Sequence, residues 1–170
     1  MNYVYKYMKT PVGRLKLIAS DDGLSAILWQ DDNPRRVVRD LGQENNEHPV
    51  LVETENQLRE YFKGARKLFD LKFKFVGTDF EQKVWRALLT IPFGETRSYG
   101  EIARQIGSPL ASRAVGAANR KNPISIVVPC HRVIGASGAL TGFAGGLDVK
   151  KQLLSHEQGQ TSNFEAQAVL

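Results

Sequence analysis

The chain has 170 residues, 42% of them hydrophobic, and a net charge of +5 at pH 7. This size and composition predict a folded protein with one large or two small cores and exclude an intrinsically disordered chain. No apolar stretch reaches the roughly 18 residues of a membrane span, and the N-terminus lacks a secretory signal pattern, so we expect a cytoplasmic protein. The single cysteine, Cys130, excludes an intramolecular disulfide and a cysteine-rich zinc site.

The positive charge is concentrated in one segment. Residues 97–132 contain six Lys or Arg residues and one acid, Glu101, so they account for the whole net charge. A basic segment can bind nucleic acid, but charge alone is equally consistent with an ordinary solvated face. An anionic partner therefore has to be argued from motifs.

The start of the chain predicts a small sheet. A tight turn at 21–23 joins two of three short runs that alternate or are apolar. Together these runs indicate an antiparallel meander; they cover residues 3–7, 14–20 and 24–29.

A helix and one more strand are expected after this meander. The helix should begin near Thr54, because Thr54 and Gln57 fit a capping box. Strict alternation at 69–75 indicates a half-buried strand. Because the hydrophobic period changes near Gly77, residues 1–77 are interpreted as an N-terminal α/β scaffold domain.

The second half begins with a capping box of Thr78 and Glu81, followed by a helix that ends at the next proline. Two short helices at 99–106 and 111–120 flank a Gly-Ser-Pro break and suggest a helix-turn-helix motif. Residues 78–158 are therefore interpreted as a DNA-binding and active-site domain.

The second helix of this motif is rich in small residues. It carries few of the Arg, Asn or Gln side chains that read base edges in the major groove, whereas small residues let a backbone approach a shallow or narrow surface. This composition favours sequence-independent docking on DNA. A tightly packed helix pair is an equally good interpretation from composition alone.

An apolar run at 124–128 predicts a buried strand that leads into Cys130. A last helix is expected at 147–157, and residues 159–170 have the composition of a flexible tail. The whole pattern predicts an α+β fold: a small N-terminal antiparallel-sheet and helix domain, then a helical C-terminal domain with a helix-turn-helix, winged-helix-like, DNA-binding motif.

Cys130 is the candidate nucleophile. A lone cysteine is more often a small buried hydrophobic residue, but His131 supplies a base and Arg132 adds positive charge that favours a thiolate. Because adjacent residues rarely bond each other directly, we expect a water between Cys130 and His131. A carboxylate such as Glu157 can then hold the other imidazole nitrogen.

The sequence PCHRV at 129–133 matches the active-site motif of the O6-alkylguanine-DNA alkyltransferases. The match continues in the same order through five further segments and is dense in the second half and weak in the first. These are Ser98-Tyr99-Gly100, Arg113-Ala114-Val115-Gly116, Asn122-Pro123, Gly145-Gly146-Leu147 and His156-Glu157. The chain therefore resembles this family, and the resemblance implies DNA repair by direct reversal of damage.

The resemblance implies a relay of Glu157, His131, a water and Cys130, in which His131 deprotonates the thiol through the water. The thiolate displaces guanine from the alkyl carbon in one in-line step, and Tyr99 protonates the leaving base near N3. Asn122 lies at a hinge before the active-site segment, where its side chain can tie two backbones together; an ordinary Asn-Pro turn is the alternative. Because the thioether on Cys130 is stable, one molecule is expected to repair one lesion.

The resemblance also implies that the damaged nucleotide leaves the duplex and that Arg113 enters in its place. The alkylguanine pocket is formed by Val133, Phe143 and Ala144, with backbone groups of Cys130, Val133 and Ala144 reading the base. The small side chains around Arg113 lie in the minor groove; they are Ser112, Ala114, Gly116 and Ala117.

The partner implied by the resemblance is double-stranded DNA that contains alkylated guanine, with O4-alkylthymine as a second candidate substrate. We expect a monomer with no cofactor and no membrane partner. Phe143 departs from the tyrosine that many relatives carry over the pocket. The N-terminal cysteines of a structural zinc site are missing, so no metal is expected.

Three other functions are weighed against alkyl transfer. A sequence-specific regulator in which Cys130 is merely buried is disfavoured by the small residues of the second helix. A cysteine hydrolase needs a Cys, a His and an orienting Asn or Asp, and Cys130, His131 and Asn122 supply the residue types. A lesion binder that does not transfer the alkyl group lacks the nucleophile that this chain carries.

Overall fold

The computed structural model describes residues 2–37, 42–159 and 164, and it begins with the expected antiparallel meander. Its strands are β1, Val4–Thr10, β2, Gly13–Ser20, and β3, Gly23–Leu28. A short strand β4, Gln43–Glu44, runs parallel to β1, so that the order across the sheet is β3-β2-β1-β4. Gly23 in the tight turn has a φ of +127°, and a Cβ there would lie 2.5 Å from the Lys72 carbonyl oxygen, so the turn requires glycine.

Helix α1, Pro49–Phe62, packs on this sheet and begins earlier than predicted. Its N-cap is His48, whose side chain accepts a hydrogen bond from a first-turn amide, and proline suits the first helical position. The predicted capping box of Thr54 and Gln57 is therefore wrong. Both residues lie inside the helix, where Thr54 bonds a carbonyl one turn earlier at 2.7 Å and Gln57 holds the backbone of Asp70.

The segment at 69–75 alternates between half-buried and exposed residues, as predicted, but it is not a regular strand. It joins β3 through a bridge between Leu24 and Phe73. The Leu24 amide donates to the Lys72 carbonyl at 2.9 Å, and the Lys74 amide donates to the Leu24 carbonyl at 3.3 Å. Because its aromatic side chains pack on the core, burial rather than a hydrogen-bond ladder produces the alternation.

The second half is helical, as predicted. Helix α2, Asp79–Leu88, begins at the expected capping box of Thr78 and Glu81. The helix-turn-helix consists of α3, Tyr99–Gln105, and α4, Ser112–Arg120, which pack on each other and on α2.

Three further elements complete this half. A two-stranded parallel sheet joins β5, Arg97–Ser98, to β6, Val133–Ile134, and α5, Leu147–Glu157, follows. The predicted α+β fold with a helix-turn-helix motif in its C-terminal domain is confirmed.

The segment at 124–128 is buried, as predicted, but it forms a tight turn and not a strand. The Val128 amide donates back to the Ile124 carbonyl at 2.9 Å, and Ile126 has a φ of 73°. This left-handed conformation is unfavourable for a β-branched side chain and persists only because the buried surroundings hold it. The chain then enters a short 3-10 helix, Cys130–Arg132, whose first residue is the cysteine.

Residues from both halves share one hydrophobic core. It joins Leu17 of β2 and Leu58 of α1 to Leu153 of α5. Trp85 of α2 is 2% exposed, and its indole N–H donates to the Ala118 carbonyl at 2.9 Å. The sheet and the helical half therefore support each other.

The predicted tail at 159–170 lies outside the described residues, except for Gly159 and Phe164. The ring of Phe164 packs on those of Phe62 and His156. Among the helices of the described chain, none combines the length and apolar content needed to cross a membrane.

Candidate active site and DNA-binding surface

Cys130 is almost completely buried, with 4% of its surface exposed. Burial raises the pKa of its thiol above the ordinary value, because the thiolate would lose its hydration. The Asn122 amide and the positive charges of Arg36 and Lys150 act in the opposite direction. The resting site therefore favours the neutral thiol, and a base is needed to form the nucleophilic thiolate.

His131 is the imidazole that follows Cys130 in the same short 3-10 helix. It is fully buried, and its Nε2 lies 2.7 Å from Oε2 of Glu157. Since a carboxylate only accepts, Nε2 carries the hydrogen and Nδ1 keeps a free lone pair in the neutral ring. Nδ1 is buried and has no hydrogen-bond partner among the described residues. An imidazole held in this way is ready to accept a proton at Nδ1.

Glu157, at the end of α5, is an ionised carboxylate inside the protein. Arg132 donates from Nε to Oε1 at 2.7 Å and from Nη2 to Oε2 at 3.2 Å, and the Tyr61 hydroxyl donates to Oε2 at 2.5 Å. Burial by itself would raise the pKa of Glu157, but the positive charge of His131 when it is protonated, the hydrogen bond from its ring, and the hydrogen bonds and charge of Arg132 hold it well below its usual range. Glu157 therefore remains a permanent acceptor for His131.

Asn122 is fully buried between the end of α4 and the turn before Cys130. Its amide donates to the Val128 carbonyl at 2.8 Å, and its side-chain oxygen accepts from the Ile124 amide at 3.0 Å. Arg36, from the first half, donates to the Asn122 carbonyl at 2.8 Å. Because Glu157 holds the His131 ring and the side chain of Asn122 bonds backbone, Asn122 does not orient this histidine as the hydrolase alternative requires.

The exposed side of α4 borders a cleft of about 680 Å³. Three arginines line it, Arg104, Arg113 and Arg120, and its described lining contains no acidic residue. Between these charges α4 presents small side chains: Ala114 and Ala117 are exposed, Ser112 is half-buried and Gly116 is buried. A small-residue surface flanked by positive charge suits close approach to a phosphate backbone.

Tyr99, the first residue of α3, lines the same cleft, and its hydroxyl is hydrogen-bonded to that of Thr141. Thr141 begins the loop that carries Phe143 and Ala144, which are both half-buried. Trp29 supports this loop from the first half, with its ring centroid 5.4 Å from that of Phe143. A Cβ on Gly145 would lie 2.8 Å from the indole, so glycine allows the loop to close on Trp29.

Lys150 is a fully buried cation next to the predicted pocket residue Val133. Its ammonium donates to the Val133 carbonyl at 2.7 Å and to the Thr141 carbonyl at 3.3 Å, which joins β6 to the loop that carries Phe143 and Ala144. Burial lowers the pKa of Lys150, and the Cys130 thiolate opposes that shift. Within the described residues, no group of three or more His, Cys, Asp or Glu side chains is arranged to hold a metal ion.

Both halves of the chain match known proteins. Models of the DNA-binding domain and the ribonuclease-like domain of 6-O-methylguanine DNA methyltransferase match residues 79–159 and 3–75. A methylated-DNA–protein-cysteine methyltransferase of Methanosarcina acetivorans is 49% identical over 153 residues, 90% of this chain and 97% of that protein. The chain belongs to the 6-O-methylguanine DNA methyltransferase family.

Two mycobacterial proteins extend the comparison. The methylated-DNA–protein-cysteine methyltransferase of Mycobacterium tuberculosis H37Rv is 62% identical over 105 residues, which are 62% of this chain and 64% of that protein. The crystal structure of Mycobacterium tuberculosis OGT in complex with DNA matches with a TM-score of 0.85 at 44% identity, over 96% of this chain and 97% of that chain. This member of the 6-O-methylguanine DNA methyltransferase family therefore shares its fold with a relative seen on DNA.

The sequence did not reveal three residues that touch the site of this methyltransferase-family protein: Tyr61, Lys150 and Arg36. Tyr61 reaches Glu157 across a separation of 96 residues, and no local pattern predicts such a contact. Arg36 lies in an irregular segment that carries no motif. Lys150 could have been found, because it shares the spacing of Leu153 and Glu157 on the buried side of α5.

Proposed function

We propose that this protein repairs DNA by transferring the alkyl group of O6-alkylguanine in a duplex to Sγ of Cys130. One observation carries the proposal: a buried His131 bonds Glu157 through Nε2 and keeps its Nδ1 free, immediately after a buried cysteine. Membership of the 6-O-methylguanine DNA methyltransferase family supports the same reaction. A buried cysteine that served only as packing would not need this base.

In the proposed reaction His131 removes the thiol proton through one bridging water. The thiolate attacks the alkyl carbon, so the S–C bond forms as the C–O6 bond breaks, and the electron pair of the broken bond stays on guanine. The leaving base takes a proton from the Tyr99 hydroxyl, which Thr141 is placed to support through its hydrogen bond. The immediate products are a thioether on Cys130, unmodified guanine, a protonated His131 and a Tyr99 phenolate. Solvent then returns a proton to Tyr99 and removes one from His131, so the net change moves one proton from the thiol to guanine.

We propose that the lesion reaches this site by base flipping, because the O6 substituent is hidden while guanine is stacked in the duplex. The small-residue side of α4 docks in the minor groove and Arg113 fills the gap in the duplex. Val133, Phe143 and Ala144 then enclose the flipped base. The carbonyl of Val133 already accepts from Lys150, and its second lone pair is available to the exocyclic amine of guanine.

The reaction is proposed to be irreversible, with one lesion repaired per molecule acting as a monomer. We propose that residues 1–77 form a domain that supports the site, and that residues 78–158 form the domain that binds DNA and carries out alkyl transfer. Titration with duplex DNA that contains O6-methylguanine tests the stoichiometry: repaired lesions should level off at one per chain. Continued repair beyond that ratio would contradict the suicide mechanism and favour a hydrolase with turnover.

A further inference from the structure

Tyr61 is a buried residue of the N-terminal half that the proposed reaction does not use. It is fully buried near the end of α1, among the rings of Phe62, Phe69, Phe93 and His156. Packing explains the ring but not the hydroxyl, because a phenylalanine would fill the same aromatic cluster without a polar atom to satisfy.

The hydroxyl of Tyr61 donates to the active-site carboxylate, with 2.5 Å to Oε2 of Glu157. The same oxygen accepts from Nε2 of His131 at 2.7 Å and from Arg132 at 3.2 Å. A second hydrogen bond joins α1 to α5, because the His156 ring donates to the Tyr61 carbonyl at 2.7 Å. Tyr61 thus contacts two consecutive residues of α5.

We propose that Tyr61 is a positioning residue for alkyl transfer: its hydroxyl fixes the Glu157 carboxylate in the orientation that holds His131 with Nδ1 toward Cys130. The inference rests on the proposed function. It gives the N-terminal half a defined part in the chemistry, since one of the donors to the relay carboxylate comes from α1.

The hydroxyl is suited to this role because it stays protonated. Burial and the adjacent Glu157 charge raise the pKa of Tyr61 well above its ordinary value. The phenol therefore remains a donor at neutral pH. Its donation also disperses the carboxylate charge, which limits how strongly Glu157 stabilises the protonated form of His131.

The test is the pH dependence of the single-turnover methyl-transfer rate for the wild type, Tyr61→Phe and Thr54→Val. Tyr61→Phe leaves Glu157 with one donor fewer, so the carboxylate should hold the protonated imidazole of His131 more strongly and the acidic limb of the rate profile should move to higher pH. We expect the rate to fall about tenfold near pH 6 and less near pH 8. Thr54→Val removes another buried hydroxyl of α1, one that bonds only within its helix, and should keep the wild-type profile.

A double-mutant cycle with Glu157→Gln keeps the test decisive if Tyr61→Phe is less stable. Should Tyr61 act through the carboxylate, its substitution changes the rate profile of the wild type but not that of Glu157→Gln. A wild-type rate profile in folded Tyr61→Phe, or equal effects in both backgrounds, overturns the inference. Failure of the wild type itself to take up methyl at any pH would instead overturn the proposed function.

Discussion

Replacing Glu157 by glutamine removes the negative charge that two buried basic groups share. Arg132 lies 2.7 Å from one carboxylate oxygen and His131 lies 2.7 Å from the other. The variant leaves the Arg132 guanidinium buried without a counter-charge. Removing one partner of a buried ion pair costs about 3–5 kcal/mol, so we expect the free energy of unfolding to fall by that amount at pH 7.

This loss should depend on pH in a defined direction. The pKa of Glu157 is lower in the folded protein than in the unfolded chain, where a glutamate has a pKa of about 4.3. Its contribution to stability is therefore complete above the unfolded-state pKa and disappears as the pH falls toward the folded-state pKa. The difference between wild type and Glu157→Gln should be widest near neutral pH and should narrow below about pH 4.

Urea unfolding of both proteins at neutral and acidic pH measures this difference. Glu60→Gln is the matched control, because Glu60 is half exposed and its nearest contact with Arg66 is 3.5 Å. Surface pairs of this kind contribute about 0–1 kcal/mol. The reasoning is refuted if Glu157→Gln costs no more than Glu60→Gln, or if its cost is the same at both pH values.

Three other substitutions test separate parts of the site. Asn122→Ala leaves two buried backbone groups unpaired, so the free energy of unfolding in urea should fall by about 2–4 kcal/mol. An unchanged urea concentration at the unfolding midpoint would contradict this. Arg113→Ala should slow methyl transfer from duplex DNA about tenfold but not from free O6-alkylguanine, and equal losses on both would argue against insertion into the duplex. Trp29→Ala removes the support of Phe143 and should increase the rate of transfer from O6-benzylguanine relative to that from O6-methylguanine. An unchanged ratio of these two transfer rates would oppose this.

The elements with local signals were predictable from the sequence. The three-stranded meander and the capping box at Thr78 follow from alternation and from cap residues that act within a few positions of each other. The start of α1 was missed because His48 and Pro49 cap it without the usual signature, while Thr54 and Gln57 imitate one inside the helix. When tertiary packing extends a helix, local sequence cannot distinguish a true helix start from a cap-like pattern inside the helix.

The turn at 124–128 shows a second limit of sequence patterns. A run of apolar residues establishes burial, but a buried turn and a buried strand have the same composition. The turn depends on the side chain of Asn122, which bonds the backbone at Ile124 and Val128. That arrangement puts Ile126 in a conformation that its residue type disfavours.

The candidate site was predictable where its residues are adjacent or belong to the family motif. Cys130 and His131 stand together in the sequence, and Glu157 follows in a segment that the resemblance matched. Tyr61 and Arg36 were not predictable, because each reaches the site from the first half through long-range hydrogen bonds that no local pattern indicates. These contacts exist only after the sheet and the helical half share a core.

The most direct test of alkyl transfer is the intact mass of the protein after incubation with excess duplex DNA carrying one O6-methylguanine, measured beside Cys130→Ala. We expect the wild type to gain one methyl group and no more, with peptide mapping locating it on Cys130. The Cys130→Ala variant should bind the same duplex and keep its mass. A wild-type protein that binds the lesion with its mass unchanged, or that carries the methyl group on another residue, would contradict the account.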